Sequence, residues 1–356
     1  KHHNLAKKIA DECAVLLKND DALLPIKENQ TLAVIGSFAK KMRYQGAGSS
    51  KILPTKLSHP YEALLSTGKA FDYADGYSRN ATEPDPDLIE EAKMVAKNKD
   101  IVLIFAGLPE SYESEGFDRE NMLMPKAHTE LIEEVSKVNP NIVVILSAGA
   151  PINMFWYPKV KAILMGYLLG QAGGQSLVDI LFGKVNPSGK LAESFPYYTN
   201  DTPSANFFSK RALDIEYRES IFVGYRYYEI SDKFVQFPFG YGLSYSKFKL
   251  DNLTLSSKEM TDKSELTVNF TITNTSDIDG AEVIQLYVGQ KNPIIFKPLK
   301  ELRRFKKVFL KAKESMAMSF TLNKEDFVYY NVHIEDWAIE SGTYVISIGN
   351  SSDKTQ

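Results

Sequence analysis

Apolar residues at helical spacing open the chain. Leu5, Ile9, Cys13, Leu16 and Leu17 recur every three or four positions, with Lys7, Lys8, Asp11 and Glu12 on the other face. That pattern predicts an amphipathic helix, stopped by the polar stretch from Lys18 to Asp21. Cys13 lies on the apolar stripe and is expected to be a small buried hydrophobe, not a nucleophile. Three short unbroken apolar runs then read as buried strands: Thr31-Leu-Ala-Val-Ile-Gly36, Ile101-Val-Leu-Ile-Phe-Ala-Gly107 and Ile142-Val-Val-Ile-Leu-Ser147. Ala162-Ile-Leu-Met165 offers a fourth. Helical patterns lie between them, at Leu88, Ala92, Val95 and Ala96, at Leu131, Ile132, Val135 and Val138, and from Gln175 to Phe182. Strands alternating with helices of this length imply a mostly parallel sheet covered on both faces. Ligands of such sheets sit at the carboxyl ends of the strands, which directs attention to the loops after Ala106 and Ser147.

Beyond about residue 190 the period is lost. Residues 196–248 are dense in rings and glycine, including Tyr225, Tyr227, Tyr228, Phe237, Phe239, Tyr241 and Tyr245. This stretch is expected to be an extended connector anchored by its aromatics, most of which pack and do not stack on sugars. From 249 to 356 the pattern turns to strict alternation: Leu266, Val268, Phe270 and Ile272; Ile284, Leu286 and Val288; Met316, Met318, Phe320 and Leu322; Tyr344, Ile346 and Ile348. With turn signals at Asp277-Ile-Asp-Gly280 and Ser341-Gly342, these strands predict an immunoglobulin-like sandwich. The expected fold class is therefore α/β followed by all-β, with an α/β sandwich domain at 1–195, the connector at 196–248 and the second sandwich at 249–356.

Composition narrows the function. The chain has 356 residues and a formal net charge of -3, with Lys plus Arg at 42 and Asp plus Glu at 45. That balance argues against nucleic-acid binding through a basic surface. No apolar run approaches the roughly 18 residues of a membrane-spanning helix, so a membrane partner is not expected. The single Cys13 allows no intrachain disulfide. Six Asn-x-Ser/Thr sequons occur but do not settle the compartment; a cytoplasmic location is expected, with secretion left open. The five histidines are dispersed, so no metal site and no cofactor is indicated.

Two loops carry candidate chemistry. The first, Pro109-Glu-Ser-Tyr-Glu-Ser-Glu-Gly-Phe-Asp-Arg-Glu120, holds five carboxylates and one arginine at the end of a predicted central strand. A solvated acidic loop is the ordinary reading of such a run. Its position, and the flexible Glu115-Gly116 turn, favour a carboxylate delivered into a site for general acid/base work. The second, Arg43-Tyr-Gln-Gly-Ala-Gly-Ser-Ser-Lys51, lacks the third glycine of a dinucleotide fingerprint and the Gly-Lys-Ser/Thr of a phosphate loop. A hydroxyl-rich loop whose backbone approaches a sugar fits it better.

These residues together resemble family 3 glycoside hydrolases, in the bacterial β-glucosidase branch. The resemblance runs through Leu32-Ala-Val-Ile-Gly36 with Arg43-Tyr-Gln-Gly-Ala-Gly-Ser-Ser50, Ser114-Glu-Gly-Phe-Asp-Arg119, Gly183-Lys-Val-Asn-Pro-Ser-Gly-Lys-Leu191, Gly224-Tyr-Arg-Tyr-Tyr228, Phe239-Gly-Tyr-Gly-Leu-Ser-Tyr245, Glu282-Val-Ile-Gln-Leu-Tyr-Val288 and Pro298-Leu-Lys-Glu-Leu-Arg-Arg-Phe305. It implies a five- or six-stranded α/β sandwich followed by a fibronectin type III-like domain, and a retaining β-glucosidase activity. It also implies that Glu115 is the acid/base, with Glu113 as the alternative two residues upstream along an extended loop. Ser49 matches a position that touches the sugar, though a turn hydroxyl bonded to backbone is an equal reading. Asp118 and Arg119 are expected to pair and hold the loop. The family's nucleophilic Asp, in a Ser-Asp-Trp-type motif on a (β/α)8 barrel, has no counterpart here, where Trp156 and Trp337 are the only tryptophans. The expected partners are thus a barrel domain or chain and a β-glucoside or related oligosaccharide, with a homo-oligomer allowed for. The competing class is a non-catalytic carbohydrate-binding or scaffolding module.

Overall fold

The unbroken apolar runs stand side by side at the centre of one sheet. The computed structural model describes residues 1–208 and 214–355, so the aromatic connector expected at 196–248 is described except for 209–213. The chain divides into two compact units, Lys1–Lys190 with Phe195–Thr199, and Leu191–Ser194 with Asn200–Gln356. In the first unit, β1 (Val15–Asn19), β2 (Leu32–Ile35), β3 (Phe71–Ala74), β4 (Ile101–Gly107), β5 (Ile142–Ser147) and β6 (Ala162–Met165) form a six-stranded sheet in the order β1-β6-β5-β4-β2-β3. All pairings are parallel except β1 with β6. Every residue of β2, β4, β5 and β6 is buried, as strands covered on both faces must be. A short strand, β7 (Phe195–Pro196), also belongs to this unit.

The covering helices are α1 (His2–Cys13), α2 (Ser37–Lys40), α3 (Pro60–Leu65), α4 (Pro86–Ala96), α5 (Lys126–Ser136) and α6 (Gly173–Leu181). Local chemistry sets the start of α4. Asp85 accepts the amides of Asp87 and Leu88 at 3.1 and 3.3 Å, and Pro86 stands at the first helical position. The helix then buries Ile89, Ala92 and Ala96.

Two expectations need correction. The opening helix ends at Cys13, because Ala14 is extended, and Leu16 and Leu17 belong to the antiparallel edge strand β1. Its predicted apolar stripe also faces outward: Leu5 and Ile9 are each 55% exposed, Cys13 is exposed, and Ala10 is the residue α1 buries.

The second unit contains α7 (Tyr225–Tyr228), β8 (Val235–Phe237) and six strands in two antiparallel sheets. One sheet runs β13 (Ser315–Leu322), β10 (Leu266–Asn274), β9 (Phe248–Leu255). The other runs β12 (Glu301–Leu310), β11 (Gly280–Gln290), β16 (Tyr344–Gly349), and a small hairpin joins β14 (Tyr329–Asn331) to β15 (Asp336–Ala338). The alternating residues Leu266, Val268, Phe270 and Ile272 meet Ile284, Leu286, Leu310 and Ile348 in one core, the interdigitation expected of facing sheets. Rings of the aromatic stretch pack inside this unit. Tyr225 stacks on Phe239 at 5.1 Å, meets Tyr287 edge-on at 5.8 Å, and its hydroxyl accepts the Leu302 amide at 2.8 Å.

Between α5 and β4 the first unit buries a histidine completely. His128 packs edge-on against Phe38 at 5.4 Å and at a tilt of 38° against Tyr77 at 3.9 Å, and its Nδ1 accepts the Gly107 amide at 3.2 Å. Burial pushes the imidazole down to about 3. The native state therefore binds fewer protons than the unfolded chain between the ordinary histidine range and about 3. The stability this contributes is full above the unfolded value of about 6.5 and is lost as pH falls, at up to about 1.4 kcal/mol per pH unit. His128→Asn keeps an acceptor for Gly107 and removes the titration. Urea unfolding midpoints followed from pH 7 to pH 4 should fall less steeply for this variant than for the parent.

Candidate active site

The strand order fixes where two loops can meet. From β2 the chain crosses to β3 on one side, then returns to β4 on the other, so connections diverge between the carboxyl ends of β2 and β4. A crevice at such a divergence is where open α/β sheets hold ligands. The Gly-rich loop follows β2 and α2; the acidic loop follows β4. Both expected site residues, Ser49 and Glu115, lie on these loops.

The Gly-rich loop is held from several sides. The Met42 amide donates to His59 Nδ1 at 3.2 Å, Tyr44 O accepts the Gly170 amide at 2.8 Å, and Gln45 bonds both the amide and the carbonyl of Ile52, at 3.0 and 2.8 Å. The loop ends in a 3-10 turn, Gly48–Ser50, which presents the Ser49 amide outward. That amide donates to Glu115 Oε2 at 2.6 Å. Hydrogen bonds from the Ser49 hydroxyl and amide hold the Glu115 carboxyl below its ordinary range. Gly48 makes the contact feasible: its φ is +72°, and a Cβ there would stand 2.5 Å from Glu115 Oε2.

The acidic loop sorts its carboxylates. Glu110 forms an exposed pair with Lys51 at 2.9 Å. Glu113 turns inward to Arg43, whose side chain is 3% exposed. Arg43 Nη1 also donates to Leu108 O at 3.0 Å, and Nη2 donates to Glu113 O at 3.2 Å. The Gly149 amide, on the loop after β5, donates to Glu113 Oε2 at 2.9 Å. Glu115 is exposed, next to Gly116 at φ +91°.

The loop is not the extended segment that was expected. Tyr112 N donates to Pro109 O at 2.9 Å, and turns at 110–112 and 115–116 bring both Glu113 and Glu115 to the Gly-rich loop. Arg119 does not simply answer Asp118. It donates to Pro151 O at 2.8 Å and lies 3.8 Å from Glu113 Oε1, pinning the far side of the loop. Sequence reasoning treated Arg43 only as part of the Gly-rich motif. The surplus of carboxylates over cations in the acidic loop was the available signal that a cation must come from elsewhere.

A cavity of about 180 Å³ opens nearby, lined by Phe38, Arg43, Arg79, Asn80, Pro109 and Glu110. Ser49 and Glu115 are not in its lining, and it is too small for a disaccharide. The arrangement in the first unit is thus one exposed carboxylate held at a hydroxyl-rich turn, with a second carboxylate paired to Arg43 behind it.

Comparison with known proteins identifies the two domains. Residues 14–245 match the model of the glycosyl hydrolase family 3 C-terminal domain, and residues 282–352 match that of a fibronectin type III-like domain. The chain is 47% identical over 354 residues to a thermostable β-glucosidase B of Acetivibrio thermocellus, covering 99% of this chain and 47% of that one. It is 44% identical over 361 residues to an exo-α-(1→6)-L-arabinopyranosidase of Bifidobacterium breve, with the same coverage of 99% and 47%. The crystal structure of a family 3 β-glucosidase from Bifidobacterium adolescentis superposes with a TM-score of 0.95 at 44% identity, over 99% of this chain and 52% of that one. The chain spans about half the length of the curated relatives it matches.

Removing the space for the Ser49 contact should be measurable directly. Gly48→Ala places a methyl against Glu115 and strains the turn, so the Glu115 carboxyl should return to the ordinary glutamate range. Carbon-13 titration of the glutamate carboxyls reads this, with the Ser49 amide shift no longer following the same curve.

Proposed function

The chain belongs to glycosyl hydrolase family 3 through that family's C-terminal domain, and from that premise we propose that it supplies the acid/base half of a retaining β-glucosidase. The observation that carries the proposal is the meeting of Glu115 with the Ser49 turn at the divergence of β2 and β4. Support for an enzyme comes from glycoside hydrolase relatives that match nearly the whole chain. The nucleophilic Asp would come from a barrel domain or chain.

Retaining glycosidases need two carboxylates about 5–5.5 Å apart. In the first step the barrel carboxylate attacks the anomeric carbon while protonated Glu115 gives its proton to the glycosidic oxygen, and the alcohol leaves. In the second step the Glu115 carboxylate takes a proton from water, whose oxygen attacks the anomeric carbon and releases the sugar and the nucleophile. Ser49 would stand beside the sugar and share Glu115 between its resting contact and the leaving group.

The resting electrostatics fit only half of this cycle. Glu115 is ionised and stabilised as an anion by Ser49, which suits a base and not an acid. A second carboxylate brought close, together with exclusion of water, raises a carboxyl pKa. Assembly with the barrel is therefore what would turn Glu115 into a proton donor.

We propose that glycone selectivity lies largely in the barrel. Relatives at 47% and 44% identity, matched over almost the same residues, carry the names of a β-glucosidase and an arabinopyranosidase. The β-glucoside is accordingly the proposed substrate by resemblance, with the barrel setting the choice of sugar.

The chain alone should not turn over an aryl β-glucoside. Mixed with the part of the Acetivibrio thermocellus relative that it does not match, it should do so. In that mixture Glu115→Ala should lower the rate on unactivated glucosides by roughly 10²–10⁴-fold, with azide restoring turnover of substrates bearing good leaving groups. Turnover by the chain alone contradicts the proposal, as does a Glu115→Ala variant of undiminished activity.

A further inference from the structure

The acidic and Gly-rich loops are tied twice. The outer tie, Ser49 to Glu115, is exposed. The inner tie joins Arg43, 3% exposed, to Glu113, 14% exposed, and reaches further. An exposed hydrogen bond of this kind competes with water and fixes a side chain only weakly, and Glu115 is followed by Gly116 at φ +91°. Something else must fix the backbone that carries Glu115.

We propose that Arg43 and Glu113 form a latch whose function is to position Glu115, and that Glu113 itself takes no part in proton transfer. This deepens the assignment of Glu115 as acid/base and rests on it.

The geometry is that of a brace. Arg43 bonds the Glu113 carboxylate, the Glu113 carbonyl and the Leu108 carbonyl, so one guanidinium grips both the start of the acidic loop and the peptide two residues before Glu115. The Gly149 amide adds a grip from the loop after β5, and Arg119 approaches the other carboxylate oxygen. Glu113 thereby has Oε2 bonded to Arg43 and to the Gly149 amide, and Oε1 3.8 Å from Arg119, in a side chain only 14% exposed. Its neighbour two residues on has one oxygen on Ser49 and faces outward. Five residues of the Gly-rich loop separate Arg43 from Ser49, so the inner tie also sets where the Ser49 turn lies relative to Glu115. Closing the inner tie raises the effective concentration of one outer partner at the other, as any intramolecular link of suitable length does.

Neutralising one partner leaves the other buried and unpaired, so single variants risk unfolding. The test therefore pairs Glu113→Gln with the double variant Arg43→Met, Glu113→Leu, which leaves no lone charge. In folded variants the Ser49 amide should lose its dependence on Glu115 titration, and the Glu115 carboxyl should move up to the ordinary range. Retention of the parental Ser49–Glu115 titration in either variant overturns the latch, whatever Glu115 does in catalysis. In the unmodified chain the Arg43 guanidinium protons should be separately resolved and slow to exchange. A single averaged signal overturns the latch without any variant. In the assembled enzyme, Glu113→Gln should lower kcat and shift the pH profile without rescue by azide, whereas Glu115→Ala is rescued. Azide rescue at position 113 and not at 115 overturns the acid/base assignment itself, an outcome distinct from loss of the latch.

Discussion

A guanidinium buried as deeply as that of Arg43 must find an anion and several carbonyls within reach, or the charge cannot stay inside. In the first unit it finds Glu113, and the consequences spread through three loops. The carboxylate can turn inward only if the acidic loop coils into turns after β4. It can accept the Gly149 amide only if β5 ends where it does. The Gly-rich loop can bring Arg43 to that place because β2 lies beside β4, a consequence of the strand order. Glu115 then stands at Ser49 as a dependent feature. The same contact explains how two nearby carboxylates on one loop acquire different surroundings, one ion-paired to Arg43, the other exposed and bonded to Ser49.

Much of the fold was legible in the sequence because the four inner strands are buried on both faces and so read as unbroken apolar runs. The edges were not. Val15-Leu-Leu-Lys-Asn19 continues the helical period of the residues before it, and only the extended backbone at Ala14 separates strand from helix. Phe71-Asp-Tyr-Ala74 alternates in burial over four residues, too short for a signal. The outward face of α1 was misjudged because spacing reports that apolar residues share a side, not that another element covers it. The sandwich strands were clearer, since one face of each is packed and the period of two survives.

The candidate site was legible in part. Ser49 and Glu115 were marked by motif and by their place after strands, and the structure brings them within hydrogen-bonding distance. Which of Glu113 and Glu115 turns inward was not legible, because spacing along the loop says nothing of a buried arginine sixty and more residues earlier in the chain. Such long-range pairing is visible only once the sheet has brought its strand ends together.

The proposed assignment of Glu115, and not Glu113, as the acid/base of the assembled enzyme can be tested by chemical labelling. An electrophilic affinity label, N-bromoacetyl-β-glucosylamine, alkylates a carboxylate placed beside the glycosidic nitrogen, and peptide mass spectrometry then locates the modified residue. In the chain assembled with its barrel, the label should appear on Glu115, with glucose protecting against it. Modification of Glu113, or of neither residue while activity is lost, would contradict the assignment of Glu115.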